Sequence, residues 1–300
     1  MNSNNSDNQA TSSLIGLITG LGAFLIWGLS PVYWKQILHV PAFEVILHRI
    51  VWSFFFLLPI IILRGRWREF ISTLRNPKAL VILLGTALLV SANWFVYIWA
   101  VTNNHLLQAS LGYFINPLVN ILLGMVFLKE RFRRLQILAL IIATAGVLYL
   151  TFYFGQFPWI SLTLAFSFGI YGLIRKVVDV ASLVGLTVET MLLSVPAGIY
   201  LVMMYTDRKG AFLLTNVQTD LYLLGASVAT AVPLLLFTIS ARRLKLSTVG
   251  FIQYVGPTCM FLLGIFVYHE HFAVAQVVTF ILIWIALALY SVDSILFYRK

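Results

Sequence analysis

A single cysteine, Cys259, rules out an internal disulfide and a thiolate metal cluster, and leaves it a small apolar residue. Charge is nearly as scarce. Asp, Glu, Lys and Arg make up 10% of the chain, against about a quarter in water-soluble domains. Also missing are a phosphate loop, a His-Glu-x-x-His zinc pattern and a Gly-x-Ser-x-Gly nucleophile turn; residues 269–271 read His-Glu-His, and the five histidines are not spaced as a metal site. The 20 Lys and Arg, which set the net charge of +10, fall in short clusters rather than on one basic face, which excludes nucleic acid as a partner. What the chain does have is apolar mass. Its 300 residues are 61% apolar, with 23 Phe, 13 Tyr and 8 Trp, and its mean hydropathy is +0.95. Too few polar side chains remain to coat a particle in water, so a soluble enzyme is excluded and lipid is the expected solvent.

Residues 1–13, MNSNNSDNQATSS, hold too few apolar groups to pack and read as an unstructured cytoplasmic tail. No Lys or Arg precedes the first apolar run and no small-residue cleavage site follows it, so that run is expected to be a span rather than a signal peptide. A helix needs about 20 mostly apolar residues to cross a hydrocarbon core of about 30 Å. Ten stretches qualify: 14–34, 44–63, 79–101, 109–128, 135–154, 157–174, 183–205, 220–240, 248–268 and 274–296. The tightest link, at Gly155-Gln156, is where two spans are most easily merged.

Lys and Arg beside span ends stay on the cytoplasmic side. With the N-terminus inside, that side receives Arg64, Arg66, Arg68, Arg75 and Lys78; Lys129, Arg131, Arg133 and Arg134; Arg175 and Lys176; Arg242, Arg243 and Lys245; and Arg299 and Lys300, which is sixteen of the twenty. The other side receives Lys35, Arg208 and Lys209, and Arg49 falls inside a span. A wrong span count would scramble this asymmetry. It predicts an all-α polytopic membrane protein of ten helices with both termini cytoplasmic.

An internal repeat surfaces at an offset of 140 residues. Asn116-Pro117, Leu122-Leu123-Gly124, Glu130, Phe132 and Gln136 lie over Gly256-Pro257, Leu262-Leu263-Gly264, Glu270, Phe272 and Gln276. At an offset of 144, Phe24-x-Ile26-Trp27-Gly28-Leu29 lies over Phe168-x-Ile170-Tyr171-Gly172-Leu173. The copies begin five helices apart, and an odd number inserts the second upside down relative to the first. The expected division is a first five-helix repeat over residues 14–154 and a second, inverted, over 157–298. Inverted repeats are a known plan for secondary transporters, which bind near the bilayer midplane between the halves.

The strings Phe24-Leu25-Ile26-Trp27-Gly28-Leu29-Ser30-Pro31, Glu44-Val45-Ile46-Leu47-His48-Arg49, Asn93-Trp94-Phe95-Val96-Tyr97 and Gly112-Tyr113-Phe114-Ile115-Asn116-Pro117-Leu118 resemble those of RarD-type permeases, in the EamA branch of the drug/metabolite transporter superfamily. The resemblance covers nearly the whole chain after the tail. It implies a ten-helix bacterial inner-membrane transporter of two EamA-like halves, with no cofactor, and carries no substrate.

In so uncharged a chain, polar groups inside spans are the informative ones, since each is unfavourable unless paired or facing water. Arg49 and Glu189 coincide under the 140 offset, five residues into the second span and six into the seventh from opposite faces. At about 1.5 Å per residue each lies roughly 8 Å from its own face, which excludes a direct salt bridge between them. Arg49 is a candidate for attracting an anionic group or closing an outer gate, with Glu44 or Glu270 as partner, and Glu189 a candidate proton carrier. Both could instead simply hold helices together. Asn93, Tyr97, Tyr113, Asn116, Asn120 and Gln253 form a polar set on the third, fourth and ninth spans, and 113, 116 and 120 share one helix face beside Pro117. They would line a substrate cavity or bond helix to helix.

Trp27, Tyr171 and Tyr254 are candidate aromatic walls, whereas Trp34, Trp67, Trp99 and Trp159 sit near span ends, where an interfacial belt is expected. Glu130 and Glu270 end matched helices and read as caps or gate residues. The reading these features favour is a secondary permease that moves a small organic metabolite or drug by alternating access, with a coupling proton as a further candidate partner. A membrane-embedded enzyme or a channel is the alternative.

Overall fold

The computed structural model describes residues 3–103, 105–155, 157–269 and 273–298, and among these there are helices and turns but no strand. The helices are α1 (Ser3–Trp34), α2 (Ala42–Leu63), α3 (Trp67–Arg75), α4 (Pro77–Thr102), α5 (Leu106–Leu128), α6 (Arg134–Phe154), α7 (Trp159–Val177), α8 (Ser182–Thr206), α9 (Val217–Arg243), α10 (Leu246–Gln253), α11 (Val255–Phe266) and α12 (Val274–Tyr298). Ten crossings long and apolar enough for a membrane run through them, with α10 and α11 together making the ninth. Their outward faces carry large apolar side chains in the open, among them Leu63, Val81 and Phe152. Such a surface is stable only against hydrocarbon, where the helix is the element that satisfies every backbone group internally.

Four local features depart from or refine the expectations. α1 starts at Ser3, so the backbone of 3–13 continues the helix ahead of the apolar run. Once a helix is nucleated, each further residue adds a hydrogen bond at little cost, and polar side chains do not prevent it. Between the second and third crossings lies α3, a nine-residue helix that buries Phe70 and Thr73 and leaves Trp67, Arg68 and Arg75 outside. It is too short and too polar to register as a span. α4 then starts cleanly, because the Asn76 side chain accepts from Lys78 N at 3.1 Å and Ala79 N at 3.2 Å with Pro77 in the first turn. The fifth and sixth crossings stay separate: α6 ends at Gly155, whose φ of 65° is the left-handed conformation that suits glycine.

Pro257 has no amide hydrogen to donate to the carbonyl of Gln253, and the ninth crossing is divided at Tyr254, the residue that follows. The matched Pro117 sits within α5 without dividing it.

The helices pack in pairs that exchange under a shift of five crossings. α1 packs on α9 and α7 on α4; α5 on α7 and α1 on α11; α2 on α9 and α8 on α4. The pairs α2 with α8, α5 with α10 and α6 with α12 map onto themselves. Side chains repeat the pattern. Gln136 Oε1 accepts from Arg133 N at 3.1 Å at the start of α6, and Gln276 Oε1 accepts from Ala273 N at 2.9 Å at the start of α12. Gly16 and Gly20 both face the end of α9, where a Cβ on Gly20 would stand 2.6 Å from Ser240 Oγ.

Candidate functional site

The candidate residues fall into three layers, stacked from the end that carries the clusters Arg64–Lys78, Lys129–Arg134 and Arg242–Lys245, called here the basic end. This end is laced shut. Lys176 donates to the carbonyls of Ala241, at 2.8 Å, and Leu244, and Arg242 donates to Val178 O at 2.7 Å and Val180 O at 2.5 Å. These side chains satisfy carbonyls left over where helices end. Glu130 caps α10: its carboxylate accepts from Leu246 N at 2.6 Å and Ser247 N at 3.0 Å, the favourable place for a negative charge on a helix dipole. Arg133 Nε donates to Asp293 at 2.6 Å. Glu270, the matched candidate, lies outside the described residues.

Just above this lacing sits Glu189, and its partner is Arg175, with Nε 3.5 Å from Oε1. Thr86 donates to Glu189 Oε1 at 2.6 Å and Tyr171 to Oε2 at 3.2 Å, so three helices converge on one carboxylate. Arg175 also donates to Ser182 O at 3.1 Å and fills the space a Cβ on Gly185 would need. Arg175, assigned by its sequence neighbours to a loop, is completely buried.

The middle layer closes on itself. Asn120 Nδ2 donates to Gln253 Oε1 at 2.7 Å, Gln253 Nε2 donates to Asn116 Oδ1, and Asn116 Nδ2 donates to Ala165 O at 2.8 Å. All three amides are buried, and they tie α5, α7 and α10 together. Tyr254 is likewise buried and donates to Phe114 O at 3.3 Å. Trp27 and Tyr171 meet through Phe168 and Phe237: Trp27 lies 5.7 Å from Phe168, and Tyr171 lies 6.3 Å from Phe237, ring centre to ring centre. The 144-offset partners thus share one aromatic cluster, which Phe24 joins at 6.0 Å from Phe237.

The third layer, towards the opposite end, gathers around Arg49. Arg49 is half-buried, and Tyr113 keeps 39% of its surface accessible. Arg49 Nε donates to Thr230 Oγ1 at 2.7 Å, and the guanidinium carbon lies 4.9 Å from the Trp34 ring and 5.0 Å from the Trp94 ring. Tyr97 and Tyr113 meet edge to face at 6.3 Å and lie within electrostatic reach of the guanidinium. Asn93, one turn before Tyr97, donates to Leu164 O at 2.8 Å and Ser167 Oγ at 2.9 Å, which binds α4 to α7.

Arg49 does not pair with Glu189, and it does not pair with Glu44 either. Glu44 Oε1 instead accepts from Ala211 N at 2.6 Å and Phe212 N at 3.2 Å. Sequence reasoning missed Arg175 and Thr86 beside Glu189, and Thr230, Trp34 and Trp94 around Arg49. Trp34 looked like a belt residue because it ends a span. For Arg175 a signal did exist: a carboxylate inside a span demands a cation, and Arg175 is one short turn inside the neighbouring helix.

The EamA-like transporter family matches residues 14–152, which is α1 through α6. Across 95% of the chain, the sequence is 48% identical to the protein RarD of Salmonella typhi and 46% identical to the protein RarD of Escherichia coli K12, covering 97% and 96% of those proteins. The chain belongs to the RarD-type branch of the EamA family. It is also 43% identical, over 93% of its length and 94% of the relative's, to the uncharacterized transporter YojE of Bacillus subtilis. A solved crystal structure superposes with a TM-score of 0.71 at 17% identity, covering 91% of this chain and 96% of that one, which shows a shared fold. A RarD-type protein of ten crossings is a multi-pass bacterial membrane transporter of the drug/metabolite class and not an enzyme. Its substrate is a small molecule handled within the bilayer.

Proposed function

We propose that this RarD-type chain is a secondary-active permease whose two inverted copies, residues 14–154 and 157–298, expose a central chamber to either side of the bacterial inner membrane in turn. Both termini lie in the cytoplasm, so the basic end faces inward. The observation that carries the reading is unequal burial: Arg49 and Tyr113 keep accessible surface, whereas Arg175 and Glu189, near the basic end, are buried. That is the outward-open half of an alternating-access cycle. The exchange of helix pairs under a shift of five crossings and the paired Gln136 and Gln276 caps support the inverted repeat.

In this reading Arg49, Asn93, Tyr97 and Tyr113 contact the solute. Asn116, Asn120, Gln253 and Tyr254, with Trp27 and Tyr171, form the packed surfaces that re-pair when the chamber changes sides. Glu130 and its matched Glu270 belong to the inner and outer closures. Glu189 is the coupling group: taking up a proton removes its attraction for Arg175, and the sealed end loosens. The chain carries no nucleotide motif of its own, so an existing gradient drives the cycle.

Purified protein in liposomes tests this by counterflow. Preloaded unlabelled solute should accelerate labelled uptake, and Glu189→Gln should abolish the dependence on a pH gradient. Flux that saturates nowhere and shows no counterflow would mark a channel instead.

A further inference from the structure

Within the transporter reading, the chamber's chemistry selects among solutes. Arg49 enters it with Nε already donating to Thr230 and with Trp34 and Trp94 beside its guanidinium, so its two terminal nitrogens are the groups left to bind. Among the described residues no carboxylate pairs with Arg49; Glu44 Oε1 accepts from Ala211 and Phe212 and lies 3.8 Å from His48 Nε2, and Glu189 pairs with Arg175. An arginine held away from its own acids inside a membrane protein is a site for an anion supplied from outside. Two adjacent N–H groups match the two oxygens of a carboxylate, and indoles that displace water strengthen the pairing. Lys35, the other cation towards this end of α1, lies over the Tyr268 ring at 3.0 Å, and His48 accepts from Trp52 at 2.9 Å. Among the described residues the site therefore offers one positive charge, which a monoanion matches and a phosphate dianion exceeds. Tyr113 completes the site with an accessible ring at 39% exposure, edge to face with Tyr97.

We infer that the Arg49 chamber binds an organic monocarboxylate, holding the carboxylate on the terminal guanidinium nitrogens and an apolar or aromatic body against Tyr97 and Tyr113. This inference rests on the transporter reading, but its test does not depend on transport.

Full-length protein in nanodiscs is titrated with benzoate, phenylacetate, benzamide, benzylamine and benzyl phosphate, reading tryptophan fluorescence and thermal midpoint. The carboxylates should give a saturable change and benzamide and benzylamine none, with benzyl phosphate at least about tenfold weaker. Arg49→Gln should weaken benzoate binding about tenfold or more, and Arg49→Lys, which keeps the charge but not the fork, should fall between. Tyr113→Ala leaves the charge in place and should weaken phenylacetate about tenfold while leaving acetate unchanged, so the test survives if Arg49→Gln does not fold. Benzamide binding as tightly as benzoate, or benzoate binding untouched by Arg49→Gln, overturns the inference. Carboxylate binding without counterflow in liposomes supports this assignment and overturns the transporter reading; counterflow of neutral solutes unaffected by Arg49→Gln does the reverse.

Discussion

Arg175 on α7 and Glu189 on α8 face each other at 3.5 Å, with side-chain exposures of 0% and 2%. The pair is joined to α4 through Thr86 and back to α7 through Tyr171. Two buried charges are unfavourable to desolvate and far more unfavourable to separate, so the pair locks three helices at the basic end in one arrangement. It also leaves Arg175 Nε and Nη1 without hydrogen-bond partners, so the lock is charged but incompletely bonded.

Removing one member should therefore be worse than removing both. Arg175→Met or Glu189→Leu alone should lower stability by about 3–5 kcal/mol, and the double variant by much less than the sum. Thermal unfolding in nanodiscs checks this, and strictly additive losses would show that the two charges do not interact.

The amide trio makes a different prediction. Gln253→Leu takes one hydrogen bond from each of Asn120 Nδ2 and Asn116 Oδ1 and leaves them only their mutual bond at 3.3 Å, at a cost of about 0.5–1.5 kcal/mol. Benzoate affinity should stay within about twofold, because the trio faces itself rather than the chamber. A large loss of affinity with unchanged stability would move the solute site to the middle layer.

Two glycines in long helices should respond oppositely to alanine. A Cβ on Gly28 would lie 2.6 Å from Cys259 Cβ and 2.9 Å from Gly256 O, so Gly28→Ala forces α1 off α11 and should destabilise by about 1–3 kcal/mol. At Gly85 in α4 a Cβ would meet nothing within 4 Å, and Gly85→Ala should stabilise by about 0.5–1 kcal/mol through helix propensity. Melting curves of the two variants decide it.

Sidedness is open to labelling. In a Cys259→Ala background, cysteines placed at the exposed positions Ser72, Arg131 and Thr215 should react with a membrane-impermeant maleimide from the cytoplasmic side for the first two and from the opposite side for the third. Ser72 and Thr215 reacting from one side would dismantle the inverted arrangement.

The number and limits of the crossings were legible in the chain because burying a helix in hydrocarbon demands a long apolar run, and that demand is local. The span read at 183–205 is α8 crossing at Ser182–Thr206, and the one read at 44–63 is Ala42–Leu63. Arg49 and Glu189 stood out for the same reason, as charges where charge is unfavourable. Their partners did not, because Arg175 lies 14 residues before Glu189 and Thr86 lies 103 before it, and only the packing of α4, α7 and α8 brings them together. Composition likewise could not tell an amide lining a cavity from one bonding a neighbour: Asn116, Asn120 and Gln253 look the same in sequence either way. The linear chain fixes which groups must find a partner or water, through the free energy of burying them; which of the two each finds depends on contacts between distant segments, and those exist only once the helices have packed.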